Sequence, residues 1–237
     1  MVAAEIAPPF HAAMELAWDS FRAGSLGIGA VITLDGSTVV TGRNRLMETD
    51  PGDDVLAGTS VAHAEMNALA KLRWREHRGA ELHLWTTLEP CLQCLGAIRL
   101  SEVTHVHVLA PDPIFRGIEE VRHLSPFLSA RWPALEHREV DEWAVLALLF
   151  QTHVGVFWGA SAPGWNEHLP QLAALASSLV SSSELLELAE APVGVAAVAG
   201  QLWSRLGEAL PEVAELAAVG SAASPGDAAG GPLGSVP

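Results

Sequence analysis

Two short segments constrain this 237-residue chain more than any other part of it: His63-Ala64-Glu65 and, further on, Pro90-Cys91-Leu92-Gln93-Cys94. Cys91 and Cys94 are its only cysteines, and residues three apart on a helix share one face. Thiolate and imidazole are donors that zinc prefers. Three protein ligands rather than four leave a position open for water, which marks a catalytic zinc site rather than a structural one. His63, Cys91 and Cys94 are therefore the expected Zn²⁺ ligands, and Glu65 is the carboxylate left free to move protons. A fold that uses them must bring two helix N-termini to one point. Pro90 suits the first position of a helix. At a helix N-terminus the side chains of His63 and Glu65 both lean toward the open end. Paired helix N-termini also favour thiolate over thiol. Two other readings stay open: a redox C-x-x-C pair, and an inert zinc site completed by another of the ten histidines.

The pattern H-x-E…P-C-x-x-C is the signature of the zinc deaminases. From about Ala13 to Ile118 the chain resembles the cytidine and deoxycytidylate deaminase-like superfamily, most closely its branch of guanine deaminases and tRNA adenosine deaminases. The resemblance is carried by Gly29-Ala30-Val31-Ile32, Gly42-Arg43-Asn44-Arg45, Ala62 to Leu69 and Thr87 to Cys94. Glu89 before the proline and the Gly-x-Asn turn favour that branch. The resemblance implies that Asn44 hydrogen-bonds a substrate base and that Ala64 offers its backbone amide. It further implies that Asp112 contacts an exocyclic amine, although a turn residue before Pro113 is an equal reading. It also implies a homodimer or higher homo-oligomer with shared sites. The chain departs from the branch at Gln93, where methionine is usual, and in an acidic insert from Asp50 to Ser60. Both departures bear on substrate rather than on zinc.

The leading expectation is a zinc-dependent hydrolytic deaminase of a free nucleobase, nucleoside or related small heterocycle, in which zinc-bound hydroxide attacks the amine-bearing carbon and ammonia leaves. The alternatives are adenosine-to-inosine deamination in tRNA and, in a different class, a non-catalytic zinc-stabilised scaffold. Charge bears on this choice. The net charge is −15, with twelve basic and seventeen acidic residues up to 138 and one against eleven beyond. Nucleic-acid enzymes normally display a broad basic face, so the balance weighs against nucleic acid without removing it; Lys71, Arg73, Arg75 and Arg78 form the one basic cluster. The longest fully apolar run, Ala144 to Phe150, is too short to cross a bilayer, no export signal is visible, and cysteines committed to metal imply a reducing, cytoplasmic setting.

Periodicity predicts an amphipathic helix over Pro9–Gly24, with Phe10, Ala13, Met14, Ala17 and Phe21 inward. Strands follow at Gly27–Leu34 and Thr38–Gly42, joined at Asp35-Gly36. A helix over Ala62–Glu76, with Thr59 or Ser60 nearby as caps, precedes a strand Leu82–Thr87 and a helix to Leu100. A strand Val103–Ala110 then carries His105 and His107 as packed or exposed strand histidines, and Leu135–Val140 is a fifth strand. Residues 49–60 read as a loop, either a lid or a surface excursion. Helices are expected at Glu142–Thr152, Leu169–Val180, Ser183–Glu190 and Val195–Leu210, with Trp158, Trp165 and Trp203 pinning this region. The fold class is α/β, a three-layer α-β-α arrangement on a five-stranded mixed sheet with a C-terminal helical extension. The expected division is a deaminase domain at 1–158, the extension at 159–219 and a disordered tail at 220–237.

Overall fold

The computed structural model describes residues 5–159 and 164–221. The expected tail lies outside the described residues from 222 onward.

Helix α1 (Pro8–Arg22) starts on a proline pair and buries the predicted stripe Phe10, Ala13, Met14, Ala17 and Phe21. Strands β1 (Gly29–Leu34) and β2 (Ser37–Arg43) form an antiparallel hairpin. Its two turn residues, Asp35 and Gly36, both have positive φ (50° and 75°), the primed turn that matches strand twist. Next come α2 (Ala64–Lys71), a short α3 (Trp74–His77), β3 (Leu82–Thr86), α4 (Leu92–Leu100) and β4 (Val103–Val108). A 3-10 helix (Ile118–Leu124) and a short α5 (Pro126–Ser129) lead to β5 (Ala134–His137). The sheet order is β2-β1-β3-β4-β5, antiparallel on the β2 side of β3 and parallel beyond it.

Strand alternation sorts the residues onto two faces. Val31, Trp85, His107 and Glu136 are in register on the face that α1 covers, where Phe10 meets Trp85 edge-on. Ala30, Thr86 and Val108 share the opposite face, beneath α2 and α4. Gly42 shows how tightly that layer is pressed down: a Cβ there would strike the backbone of Ala64 and Ala68 in α2.

Three local expectations are corrected. The helix expected to run to Glu76 breaks at Leu72 and Arg73, both extended. Leu72 turns into the core and Trp74 donates to Glu102, so tertiary contacts override helix propensity. Thr59 and Ser60 do not cap α2; His63 occupies the N-cap position. Pro90 is not the first helical residue, because Cys91 stays extended (ψ 171°) as the N-cap of α4.

The C-terminal third is entirely helical among the described residues: α6 (Glu142–Trp158), α7 (Trp165–His168), α8 (Pro170–Ser182), α9 (Glu184–Glu190) and α10 (Val195–Ser221). Asp141 caps α6 through the amides of Trp143 and Ala144. Helix α6 runs six residues beyond its expected end at Thr152, and α10 runs through Pro211 to Ser221 rather than stopping at Leu210. Leu146, Phe150, Leu172, Leu179, Leu202 and Leu206 belong to one hydrophobic core with the residues of α1 and the sheet. Trp203 packs edge-on to Trp143 and Trp165 donates to Thr152 (2.9 Å), so both tryptophans pin the extension. No single described helix is long and apolar enough to cross a membrane, although α8 and α9 together, bent by 65°, have the length and composition.

Candidate metal centre and active site

The chain leaves β3 at Thr86, the Thr87 amide bonds Gly29 and the Glu89 amide bonds Ala110, which fixes the approach to α4. The extended backbone of Cys91 and of His63 at two helix N-caps turns both side chains toward one point, and Cys94 joins them from the first turn of α4. His63 Nδ1 lies 3.6 Å from Cys91 Sγ and 3.5 Å from Cys94 Sγ, and the two sulfurs are 3.7 Å apart. Tetrahedral zinc, with Zn–S of about 2.3 Å and Zn–N of about 2.1 Å, requires edges of about 3.8 Å between sulfurs and about 3.6 Å from nitrogen to sulfur. The three donors already have the spacing that zinc demands.

Their protonation points the same way. The hydrogen bond from Cys94 and that from His63 pull the Cys91 thiol down to about 4 against the resistance of burial. Cys94 is pushed up, first by its bond to Cys91 and then by burial. The Cys91 contact outweighs burial and raises His63. Protons therefore crowd the point where two thiols and an imidazole converge, and a dication bound there in their place would relieve that competition.

Glu65 is buried beside the cluster, its carboxylate 3.5 Å from Cys94 Sγ and 3.4 Å from the Thr86 hydroxyl. Burial raises its pKa, with His63 opposing. It faces a cavity of about 400 Å³ shared with His63 and Cys91.

The substrate-side expectations fare differently. Asp112 lines the cavity, and one of its oxygens accepts from the amides of Ile114 (2.7 Å) and Phe115 (3.0 Å). The turn role is therefore present, and the second oxygen makes no hydrogen bond among the described residues. Burial pushes Asp112 up to about 6. Asn44 is buried but does not line the cavity; its Oδ1 accepts from Ser25 and from the Leu46 amide, while its Nδ2 has no partner among the described residues. Ala64 is the first residue of α2, where an N–H has no partner within the helix. Residues 50–60 do not line the cavity. Asp54 is clasped by Arg45 (2.7 Å) and Lys71 (2.8 Å), and Asn67 accepts from Val55 and Leu56, so this loop is fastened to α2.

Sequence reasoning missed Gln151. It lies on α6 against the cavity, with a buried Nε2 that has no partner among the described residues. The available signal was the polar triplet Gln151-Thr152-His153 inside an otherwise apolar helix. Trp158 and Trp165 complete the apolar wall with Ile28 and Leu88.

Residues 8–110 match the family model described as the cytidine and deoxycytidylate deaminase zinc-binding region. The chain is 31% identical over 129 residues to tRNA-specific adenosine deaminase 2 of Xenopus tropicalis, covering 51% of this chain and 71% of that one. It is 31% identical over 111 residues to a tRNA-specific adenosine deaminase of Streptococcus pyogenes serotype M1, covering 46% of this chain and 60% of that one. Among solved structures, a guanine deaminase from Nitrosomonas europaea is 20% identical with a TM-score of 0.46, covering 64% and 88%.

Proposed function

Because the chain belongs to the cytidine and deoxycytidylate deaminase zinc-binding family, we propose that it hydrolyses the amino group from an adenine-type base and that the base is presented within a tRNA. The observation that carries the chemistry is the zinc-spaced triangle of His63, Cys91 and Cys94 with Glu65 beside it at the cavity wall. Those three residues would hold zinc, which supplies the Lewis acidity that activates water near neutral pH. Glu65, kept protonatable by burial, would take a proton from the attacking water and deliver it to a ring nitrogen, then take the second proton from the hydroxyl formed on the attacked carbon and deliver it to the departing amine. The free oxygen of Asp112 and the unpartnered Nε2 of Gln151, both at the cavity wall, orient the base, while Asn44 braces the neighbouring turn through Ser25 and the Leu46 amide. The apolar wall around Trp158 excludes bulk water.

The tRNA reading is supported by the two named relatives, against the small-molecule substrate expected from charge. Exposed Arg73, Trp74, Arg75 and Arg78 support it too, since exposed cations beside an aromatic suit a phosphate backbone and unstacked bases. The second reading, a free base or nucleoside, is favoured by the net charge of −15. One experiment separates them: ammonia release by the zinc-loaded protein from tRNA, adenosine, adenine and guanine, with Glu65→Ala alongside. Inosine formed in tRNA alone supports the first reading, and turnover of a free base or nucleoside alone supports the second. Release that persists in the Glu65→Ala protein removes the proposed mechanism.

A further inference from the structure

On the face of the sheet that α1 covers, His83, His105 and His107 stack on one another and on Trp85, between Glu81 at one end and Glu136 at the other. Counting protons along this row exposes a deficit. Glu136 lies 3.1 Å from His107 Nδ1, His107 Nε2 lies 2.8 Å from His83 Nδ1, and His83 Nε2 lies 3.4 Å from Glu81. Three contacts need three protons, whereas two neutral imidazoles carry two. If Glu136 fixes the tautomer of His107, and His107 that of His83, a bare lone pair on His83 Nε2 faces the Glu81 carboxylate. A cation belongs in that gap.

We propose that Glu81, His83 and His105 form a second divalent-metal site, for an imidazole-seeking ion such as Zn²⁺, on the opposite face of the sheet from the cysteine cluster. The three donor atoms lie within 4.8 Å of one another. The 3.4 Å from His83 Nε2 to Glu81 matches the edge of about 3.4 Å expected for zinc with nitrogen and oxygen ligands, and His105 Nδ1 stands at 3.9 Å. His83 and His105 are 29% and 28% exposed and Glu81 69%, so an ion enters from solvent. Their rings are parallel within 5°, so His105 tilts to bring its lone pair onto the ion. Its Nδ1 also meets the Thr104 hydroxyl (3.0 Å), which donates to the Leu82 carbonyl and so accepts from His105; binding an ion therefore moves the His105 proton to Nε2 and exchanges this contact for the metal. The Glu136–His107 pair is the outer support that orients His83, as carboxylates commonly do behind a metal-bound histidine.

The test is zinc stoichiometry and affinity of the full chain, by metal analysis and calorimetric titration with zinc alone. The wild type is expected to take two equivalents, the second in the micromolar range. Glu81→Gln and His105→Gln are each expected to lose the second equivalent and keep the first, with deaminase activity intact. Glu136→Gln, which touches no ligand atom, is expected to weaken the second equivalent about tenfold. A wild type that takes one equivalent at tens of micromolar free zinc overturns the proposal and leaves a proton in the gap. So does a second equivalent that survives both ligand substitutions.

Discussion

The outer cluster of Glu81, His83 and His105 has a residue on strand β3 and the inner cluster of His63, Cys91 and Cys94 has none, and the two are built differently. The inner donors sit at helix N-caps and in a first turn, where the local backbone decides where they point, and their spacing already fits zinc. The outer donors stand on or beside neighbouring strands, with a mostly exposed carboxylate and a ring that must tilt. Caps hold a ligand by backbone geometry; strands hold it only through what the next side chain does. The contrast predicts an inner site that is tight and coupled to folding, and an outer one that is weaker and dispensable for catalysis.

The largest effect should come from Glu65→Ala. Loss of the proton carrier is expected to lower kcat by about 10²- to 10⁴-fold with the inner zinc retained, whereas Glu81→Ala leaves kcat unchanged. Parallel rate and metal measurements check this, and a comparable loss in Glu81→Ala would break the contrast. Stability follows. At free zinc about a thousandfold above the inner Kd, binding is expected to add about 4 kcal/mol, seen as a rise in Tm on zinc addition. Cys94→Ser should abolish most of that rise, and His105→Gln little of it.

These differences also explain what could be read in advance. The convergence of His63, Cys91 and Cys94 with Glu65 beside them was legible because the spacing of the two motifs is local, although the caps themselves fell a few residues from where they were expected. The sheet and α1 were legible through periods of two and 3.6 residues. The break at Leu72 was not, because the contacts of Leu72 and Trp74 lie far off in sequence. Gln151 was hidden for the same reason, since only the packing of α6 beside the metal cluster turns it toward the cavity. The outer cluster depends on the register of β3 with β4, which places His83 beside His105 and which no pattern within either strand reveals.

A smaller test uses the groups buried around the cavity. Asp112 is raised from 3.8 to about 6 by burial, so its contribution to stability is complete below the unfolded pKa and is lost as pH rises through about 6. Asn can keep the bonds to Ile114 and Phe115 without the charge. Asp112→Asn is thus expected to be more stable by about 3 kcal/mol above pH 6, with the gain vanishing near pH 4, while deamination weakens if the free oxygen meets substrate. Denaturant unfolding across pH measures the first and kcat/KM the second.

The smallest expected effect concerns His153, which shows what a buried imidazole does without a metal or partner. Its Nε2 has no hydrogen bond among the described residues, its ring meets Phe21 edge-on, and burial alone lowers it to about 4. The unfolded chain, with the ordinary value of 6.5, binds the proton first as pH falls. Stability is therefore full above about 6.5 and drains away toward 4. At pH 5 the loss is about 2 kcal/mol, and His153→Phe should recover it, raising Tm by about 4–8 °C at pH 5 and far less at pH 7.5. Melting curves at the two pH values decide the point. An equal shift at both would mean that Phe acts through packing, so that His153 is a tolerated core residue and not the acid-sensitive counterpart of the metal-ready histidines on the sheet.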